Sequence, residues 1–122
     1  MAIERRRVVR LHPQADLLVI FDCNQLVIGR IHTISPLGVS VEYEDGLCRP
    51  PIDRDILVRI MDERTQAVPI HALHCTPVYD IPTLSHRQSF KGRPMRLSGM
   101  HFTQIDSADQ QRIDLLLQSS RP

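Results

Sequence analysis

The chain has 122 residues, of which 42% are hydrophobic and 24% are charged, and its formal net charge is +1. This length predicts one domain, and the composition is ordinary for a globular protein. No stretch approaches the ~20 apolar residues that a membrane helix needs, and the basic N-terminus lacks the apolar run of a signal peptide. We therefore expect a cytoplasmic protein without membrane insertion.

The first feature along the chain is an arginine cluster, Glu4-Arg5-Arg6-Arg7-Val8-Val9-Arg10. Residues 4–10 carry a net charge of +3, whereas the rest of the chain carries −2. Arg6 and Arg10 are four apart, so they lie on one side of either a helix or a strand. Guanidinium groups bind phosphate, or guanine O6 and N7, with two parallel hydrogen bonds. Because a nucleic-acid surface normally makes a whole domain basic, this local cluster indicates a small anionic ligand.

The next third of the chain has the patterns of β-strands. An apolar run at 17–21 and a longer pattern at 26–34 flank a hairpin turn at Asn24-Gln25. We expect Gly29, inside the second strand, to lie at a bulge or bend. Alternation of Val39, Val41 and Tyr43 with polar residues predicts a third strand, followed by a turn at 44–46.

Three more strands are predicted after this turn. Alternation at 56–60 indicates one strand, and the segment 68–78 is strand-like. Because Pro69 and Pro77 each remove a backbone donor, the second of these should be an edge strand or be broken. Residues 80–94 have the composition of a long loop or a loosely paired hairpin, and Met95 to Phe102 forms the last strand.

One helix is predicted near the C-terminus, from Ala108 to about Gln118, after which it should fray. Ser107 is a suitable N-cap, and Gln110 completes a capping box. An apolar stripe at helical spacing would face the core. The stripe consists of Ile113, Leu116 and Leu117.

Together these elements predict an all-β fold, a six-stranded antiparallel β-barrel with one C-terminal α-helix packed on it. Residues 1–12 have few apolar anchors, so we expect them to form a mobile arginine-rich segment. Residues 13–122 would form the barrel and helix. We expect a monomer or a weak dimer.

The strand at 26–34 ends in a polar turn, Thr33-Ile34-Ser35-Pro36-Leu37-Gly38. Pro36 and Gly38 occupy the second and fourth positions of a type I turn that starts at Ser35. Gly38 also permits a positive φ and close approach of the backbone to a ligand. The Thr33 and Ser35 hydroxyls share a face if the backbone is extended. The turn is therefore a candidate binding site.

In this order and spacing, the two motifs resemble the signatures of the PilZ domain family, R-x-x-x-R and [D/N]-x-S-x-x-G. Residues 6–10 fit the first motif and residues 33–38 fit the second, except that Thr33 stands where the family usually has Asp or Asn. Residues 99–102, Gly-Met-His-Phe, are similar to the family's late G-x-x-F strand. The resemblance implies a β-barrel that binds cyclic di-GMP. The implied ligand-binding residues are Arg5, Arg6, Arg10, Thr33, Ser35 and Gly38.

The threonine changes the expected affinity. By the resemblance, the side chain at position 33 accepts hydrogen bonds from the Watson–Crick edge of guanine. Threonine is shorter and neutral, so Thr33 replaces a charge-assisted bond with an ordinary one. The expected loss is about 1–2 kcal/mol, or roughly five- to thirty-fold in affinity. This loss weakens binding without necessarily abolishing it, because the arginines remain.

No P-loop, G-x-G-x-x-G pattern or paired acidic motif occurs, so we do not expect an enzyme. Three widely spaced cysteines, Cys23, Cys48 and Cys75, argue against a disulfide framework. His71 and His74 lie close to Cys75, but on a strand the two histidines would face opposite sides. We therefore predict neither a metal site nor a cofactor.

The function implied by the resemblance is that of a second-messenger receptor, in a signalling system of the kind that controls motility and biofilm formation. Ligand binding would order the arginine segment and signal to a partner protein. Two alternatives remain open: a degenerate PilZ-like interaction module that binds no nucleotide, and a small RNA-binding β-barrel. Five aromatic residues and no Trp leave few stacking platforms, so a nucleic-acid polymer is not the expected partner.

Overall fold

The structure, a computed structural model, describes residues 12–13, 17–46, 48–83, 94–118 and 120–121. Its elements follow in chain order. They are β1 (His12–Pro13), β2 (Leu17–Asp22), β3 (Leu26–Ile34), β4 (Gly38–Glu44), β5 (Ile56–Asp62), β6 (Ile70–Pro82), β7 (Met95–Phe102), α1 (Ser107–Gln118) and β8 (Ser120–Arg121).

Strands β2 to β7 close into an antiparallel barrel in the order β2-β3-β4-β7-β6-β5. This confirms the predicted all-β fold with six barrel strands and a C-terminal helix. The pairing of β1 with β8 in a separate two-stranded sheet was not predicted from the sequence, which suggested that the chain frays after the helix. The β1 strand lies beside β3.

Alternating side chains of the barrel strands fill the core. In β2, residues 17, 19 and 21 are buried, and in β5 the same holds for 56, 58 and 60. The rings of Phe21 and Tyr43 meet edge to face, with centroids 6.2 Å apart and planes at 88°. Ile113 of α1 is fully buried against this core, and Leu116 and Leu117 pack beside it. The predicted apolar stripe of the helix is therefore confirmed.

A buried polar network joins three neighbouring strands. Asp80 of β6 accepts hydrogen bonds from the Tyr43 hydroxyl of β4 and from Nε of Arg96 in β7. A second guanidinium nitrogen of Arg96 lies 3.2 Å from the Asp80 carbonyl oxygen. Burial, together with the adjacent Asp80 carboxylate, raises the pKa of Tyr43 above its ordinary value. Tyr43 therefore keeps its proton at neutral pH and remains a donor.

Strand β6 corrects the expectation drawn from its prolines. It pairs with β5 as far as Cys75 and with β7 from Cys75 to Pro82, so it is one unbroken strand of the closed barrel. Pro77 lies beyond the end of β5, and its carbonyl accepts a hydrogen bond from the Asp53 amide at 3.0 Å. A register shift follows directly, between Pro77 and Tyr79. Bulges are among the few places where a sheet tolerates proline.

The segment predicted as a loop at 80–94 also differs from the prediction. Asp80 to Pro82 belong to β6 and pair with residues 96–98 of β7. Residues 84–93 lie outside the described residues. The polar residues and Pro82 therefore do not end the strand at residue 78, as the sequence suggested.

The bulge predicted at Gly29 lies further along β3. Gly29 pairs regularly with Val19, and the register shift falls between Ile31 and Thr33. A Cβ at Gly29 would lie 2.5 Å from Cγ1 of Val41 and 2.7 Å from the Glu42 carbonyl oxygen. Glycine is needed there because a side chain would clash with β4.

Helix α1 begins one residue earlier than predicted, and its N-cap is Asp106. The Asp106 carboxylate accepts a hydrogen bond from the Asp109 amide at 2.7 Å. The side chain of Gln110 does not complete a capping box with Ser107, because it donates to Asp114 at 3.2 Å. Aspartate and serine are both good N-caps, so the sequence alone did not separate the two.

We expect Asp106→Ala to lower the free energy of unfolding by about 1 kcal/mol, because an orphan amide of the first turn loses its acceptor. Urea denaturation followed by circular dichroism measures this change. Ser107→Ala is the matched control and should stay within about 0.5 kcal/mol of the original chain. A larger loss of unfolding free energy for Ser107→Ala than for Asp106→Ala would show that Ser107, and not Asp106, is the N-cap.

Candidate ligand-binding site

An open cavity of about 460 Å³ lies on the barrel wall, over strands β3, β4, β7 and β6. This volume is within the range of small-molecule sites, roughly 300–1,000 Å³. The cavity brings together three of the residues predicted from the sequence, Thr33, Ser35 and Gly38. The full lining is Thr33, Ser35, Leu37, Gly38, Val39, Ser40, Val78, Tyr79, Gly99, Met100 and His101.

Strand register explains how these residues meet. Thr33 of β3 pairs with Ser40 of β4, Ser40 pairs with Gly99 of β7, and Gly99 pairs with Tyr79 of β6. Directly opposed residues of neighbouring strands project to the same face of a sheet. The bulge at His32 places Thr33 in this row, as bulges near functional sites often redirect a side chain. The four residues form a continuous row across the cavity, which we call the transverse row.

At one end of the transverse row, two hydroxyl groups are hydrogen-bonded to each other. Thr33 Oγ1 and Ser40 Oγ lie 2.6 Å apart, and the Thr33 amide donates to Ser40 Oγ at 3.0 Å. Ser40 is only 5% exposed, whereas Thr33 is half-buried. Thr33 is therefore the member of the pair that a ligand in the cavity can reach.

At the other end, the ring of Tyr79 lies over the bare backbone of Gly99. A Cβ added at Gly99 would be 2.0 Å from the Cε2 atom of Tyr79 and 2.3 Å from its Cζ atom. The absence of a side chain at Gly99 thus makes room for the ring. A half-buried aromatic ring beside a cavity offers a stacking surface for a planar ligand.

Ser35 organises the turn at the edge of the cavity. Its Oγ accepts hydrogen bonds from the amides of Leu37, at 3.2 Å, and Gly38, at 3.3 Å. Its own amide donates to the Gly38 carbonyl at 2.9 Å. The serine of this motif therefore fixes the shape of the turn in addition to lining the cavity.

Gly38 has a different role from the conformational one expected. Gly46 has a positive φ of 96°, whereas Gly38 does not lie in that region. A Cβ at Gly38 would lie 2.1 Å from the Met100 carbonyl oxygen and 3.2 Å from Cα of His101. Close approach of β4 to β7 thus requires glycine at this position.

His71, His74 and Cys75, which were considered above as metal ligands, do not form a cluster in the structure. His74 Nδ1 lies 2.6 Å from Asp55 Oδ2, and the Thr103 hydroxyl donates to Asp55 Oδ1 at 2.6 Å. Cys75 is fully buried, and this burial raises the pKa of its thiol to about 12. Across the described ranges, no three His, Cys, Asp or Glu side chains are placed to share a metal ion.

Arg5, Arg6 and Arg10 lie outside the described residues, so their phosphate-binding role stays a prediction. The arginine motif immediately precedes β1 in the sequence, and β1 lies beside β3, the strand that carries Thr33.

Sequence reasoning missed three of the four residues in the transverse row, and it did not assign His101 of the cavity lining to the site. Ser40 and Tyr79 were assigned to strands but not to the site, and Gly99 was noted only as part of a strand motif. Their role depends on which residues of β4, β6 and β7 are paired. A local signal for Gly99 is its place inside the strand pattern at 95–102, because a glycine within a strand often marks the close approach of a neighbouring group.

The fold was compared with solved structures. It is similar to the PilZ domain with c-di-GMP of YcgR from Escherichia coli, with a TM-score of 0.70 and 10% sequence identity over 93% of this chain and 90% of that chain. It is also similar to the Bacillus subtilis inhibitor of motility, MotI/DgrA, with a TM-score of 0.64 and 17% identity. That match covers 93% of this chain and 50% of the Bacillus chain. No model of a protein family matches the sequence, and no curated protein does.

The barrel and its terminal helix therefore have a PilZ-type fold, as the resemblance of the two motifs implied. Within the described ranges, no helix has the length and apolar character needed to span a membrane.

Proposed function

We propose that this protein is a cyclic di-GMP receptor that binds the dinucleotide in the cavity and signals to a partner protein. The observation that carries the proposal is the cavity itself, which brings together the motif residues Thr33, Ser35 and Gly38. The similar PilZ domain of YcgR is a structure with c-di-GMP, which supports the choice of ligand. We propose a receptor rather than an enzyme.

In the proposed complex, the protein contributes three kinds of contact. Arg5, Arg6 and Arg10 bind phosphate groups or guanine edges through paired guanidinium donors. Thr33 hydrogen-bonds to a base, and the turn from Ser35 to Gly38 supports the sugar-phosphate backbone. Contacts from the N-terminal segment then order it over the ligand, and this ordering is the signal that a partner protein reads.

The first test is a calorimetric titration of the whole chain with cyclic di-GMP. GMP, which is half of the dinucleotide, is titrated in parallel as the control ligand. We expect saturable binding, and at least a tenfold loss of affinity in Arg6→Ala and in Arg10→Ala, because a charge-assisted hydrogen bond contributes about 1.5–3 kcal/mol. Arg112→Ala is the matched control. This variant removes the same charge from α1. Arg112 pairs with Asp109 at a distance of 2.9 Å, and neither residue lines the cavity.

The outcomes separate the alternatives. Affinity that falls equally in all three arginine variants would mean that only net charge matters. Binding to RNA with steep salt dependence and little base preference would favour the RNA-binding barrel. The absence of binding to either ligand would favour the interaction module that binds no nucleotide.

A further inference from the structure

The hydroxyl pair of the transverse row can present two different hydrogen-bonding faces. A hydroxyl has one donor and two acceptor lone pairs. When Ser40 donates to Thr33 Oγ1, the Thr33 proton can point into the cavity; when Thr33 donates to Ser40, the remaining lone pairs of Thr33 can accept. The oxygens are 2.6 Å apart and either can be the donor. The two states interconvert by rotation of hydroxyl protons, without movement of heavy atoms.

The two states of the hydroxyl pair affect which nucleotide base the cavity can bind. A carboxylate at this position would be an acceptor only. It would favour guanine, whose Watson–Crick edge offers the N1 and amino protons, and would repel the N1 lone pair of adenine. The Thr33–Ser40 pair meets a donor or an acceptor at the same point. It therefore lacks the feature that would exclude adenine.

The opposite end of the row adds a contact that is also indifferent to base identity. The Tyr79 ring occupies the space over Gly99 and lines the cavity. Stacking of a base on an aromatic ring tolerates any base, because every base has a π-face. A purine bound along this row would contact the Tyr79 ring and the Thr33–Ser40 pair. Both contacts are compatible with guanine and with adenine.

We propose that the cavity binds purine cyclic dinucleotides with little discrimination between guanine and adenine, with Tyr79 stacking on a base and the Thr33–Ser40 pair adapting to its edge. This inference rests on the proposed function and extends its ligand class. Thr33 is then the specificity-determining residue, and its partner Ser40 supplies the adaptability.

The experiment is a parallel titration with cyclic di-GMP and cyclic di-AMP at one salt concentration. We expect dissociation constants within about tenfold of each other. Thr33→Asp should separate them by at least a further tenfold, with tighter cyclic di-GMP and weaker cyclic di-AMP binding, because the carboxylate only accepts. Thr33→Val is the control of equal shape, and it should weaken both ligands to a similar extent.

The ring is tested in the same assay. Tyr79→Phe should leave both affinities nearly unchanged, and Tyr79→Ala should weaken both by about fivefold or more, because the stacking surface is lost. Thermal unfolding of each unliganded variant verifies that the barrel is intact.

Each result has a distinct meaning. Cyclic di-GMP bound more than a hundredfold tighter than cyclic di-AMP would overturn the relaxed specificity and leave the receptor function standing. A Thr33→Asp variant with an unchanged ratio of affinities would overturn the role of the hydroxyl pair. If neither dinucleotide binds, the proposed function and this inference both fail.

Discussion

Replacement of Arg96 by Met is expected to lower the free energy of unfolding by about 3–5 kcal/mol, the cost of leaving one buried charge without its partner. The side chains of Arg96 and Asp80 are only 10% and 7% exposed. Without the guanidinium, the Asp80 carboxylate stays inside the barrel with Tyr43 as its remaining side-chain donor. Urea denaturation of the purified variant measures the loss.

The matched control for this prediction is Arg49→Met. Arg49 forms an ion pair with Asp45 at 3.6 Å, and its side chain is 59% exposed. Exposed pairs contribute about 0–1 kcal/mol, so this variant should be nearly as stable as the original chain. Similar losses of unfolding free energy in the two variants would show that burial does not determine how much the Arg96–Asp80 pair stabilises the fold.

Alanine at Gly38 is expected to lower both stability and ligand affinity. The added Cβ would lie 2.1 Å from the Met100 carbonyl oxygen, and a backbone atom paired in the barrel cannot move aside cheaply. Overpacking of this kind costs about 1–3 kcal/mol. Because Gly38 closes the turn that Ser35 holds, any shift of β4 also moves the rim of the cavity. Thermal denaturation and titration of the ligand measure the two effects.

Gly99→Ala is the informative comparison. Its Cβ would also clash, at 2.0 Å, but with the Tyr79 ring, which is half-buried and can swing outward. We expect a stability change below about 1 kcal/mol and an affinity loss equal to one stacking contact, about 1–3 kcal/mol. If Gly99→Ala unfolds the barrel while Gly38→Ala does not, the two glycines have been assigned the wrong roles.

Much of the barrel follows from local pattern. Alternation of apolar and polar residues located β4 and β5, and a single hairpin turn separated β2 from β3. The helix was found from its apolar stripe, although two adjacent capping residues left its first residue ambiguous. These features are set by neighbours in the sequence, so the sequence suffices to predict them.

The less predictable features depend on contacts between distant segments. Pro77 favoured an edge strand in the sequence. Strand β6 accommodates this proline because its pairing with β5 stops at Cys75, before Pro77 is reached. The transverse row joins residues 33, 40, 79 and 99, and its register depends on two bulges. Motif resemblance singled out Thr33, Ser35 and Gly38, which line the cavity. It could not identify Tyr79, whose place follows from the pairing of β6 with β7.

Backbone amide chemical shifts, recorded during a titration with cyclic di-GMP, test the central claim that this cavity is the dinucleotide site. We expect the largest changes at Thr33, Gly38, Ser40, Tyr79 and Gly99. Amides at the other end of the barrel, Asn24 and Gly46, should stay constant. Changes concentrated at that other end, or no changes at millimolar ligand, would contradict the account.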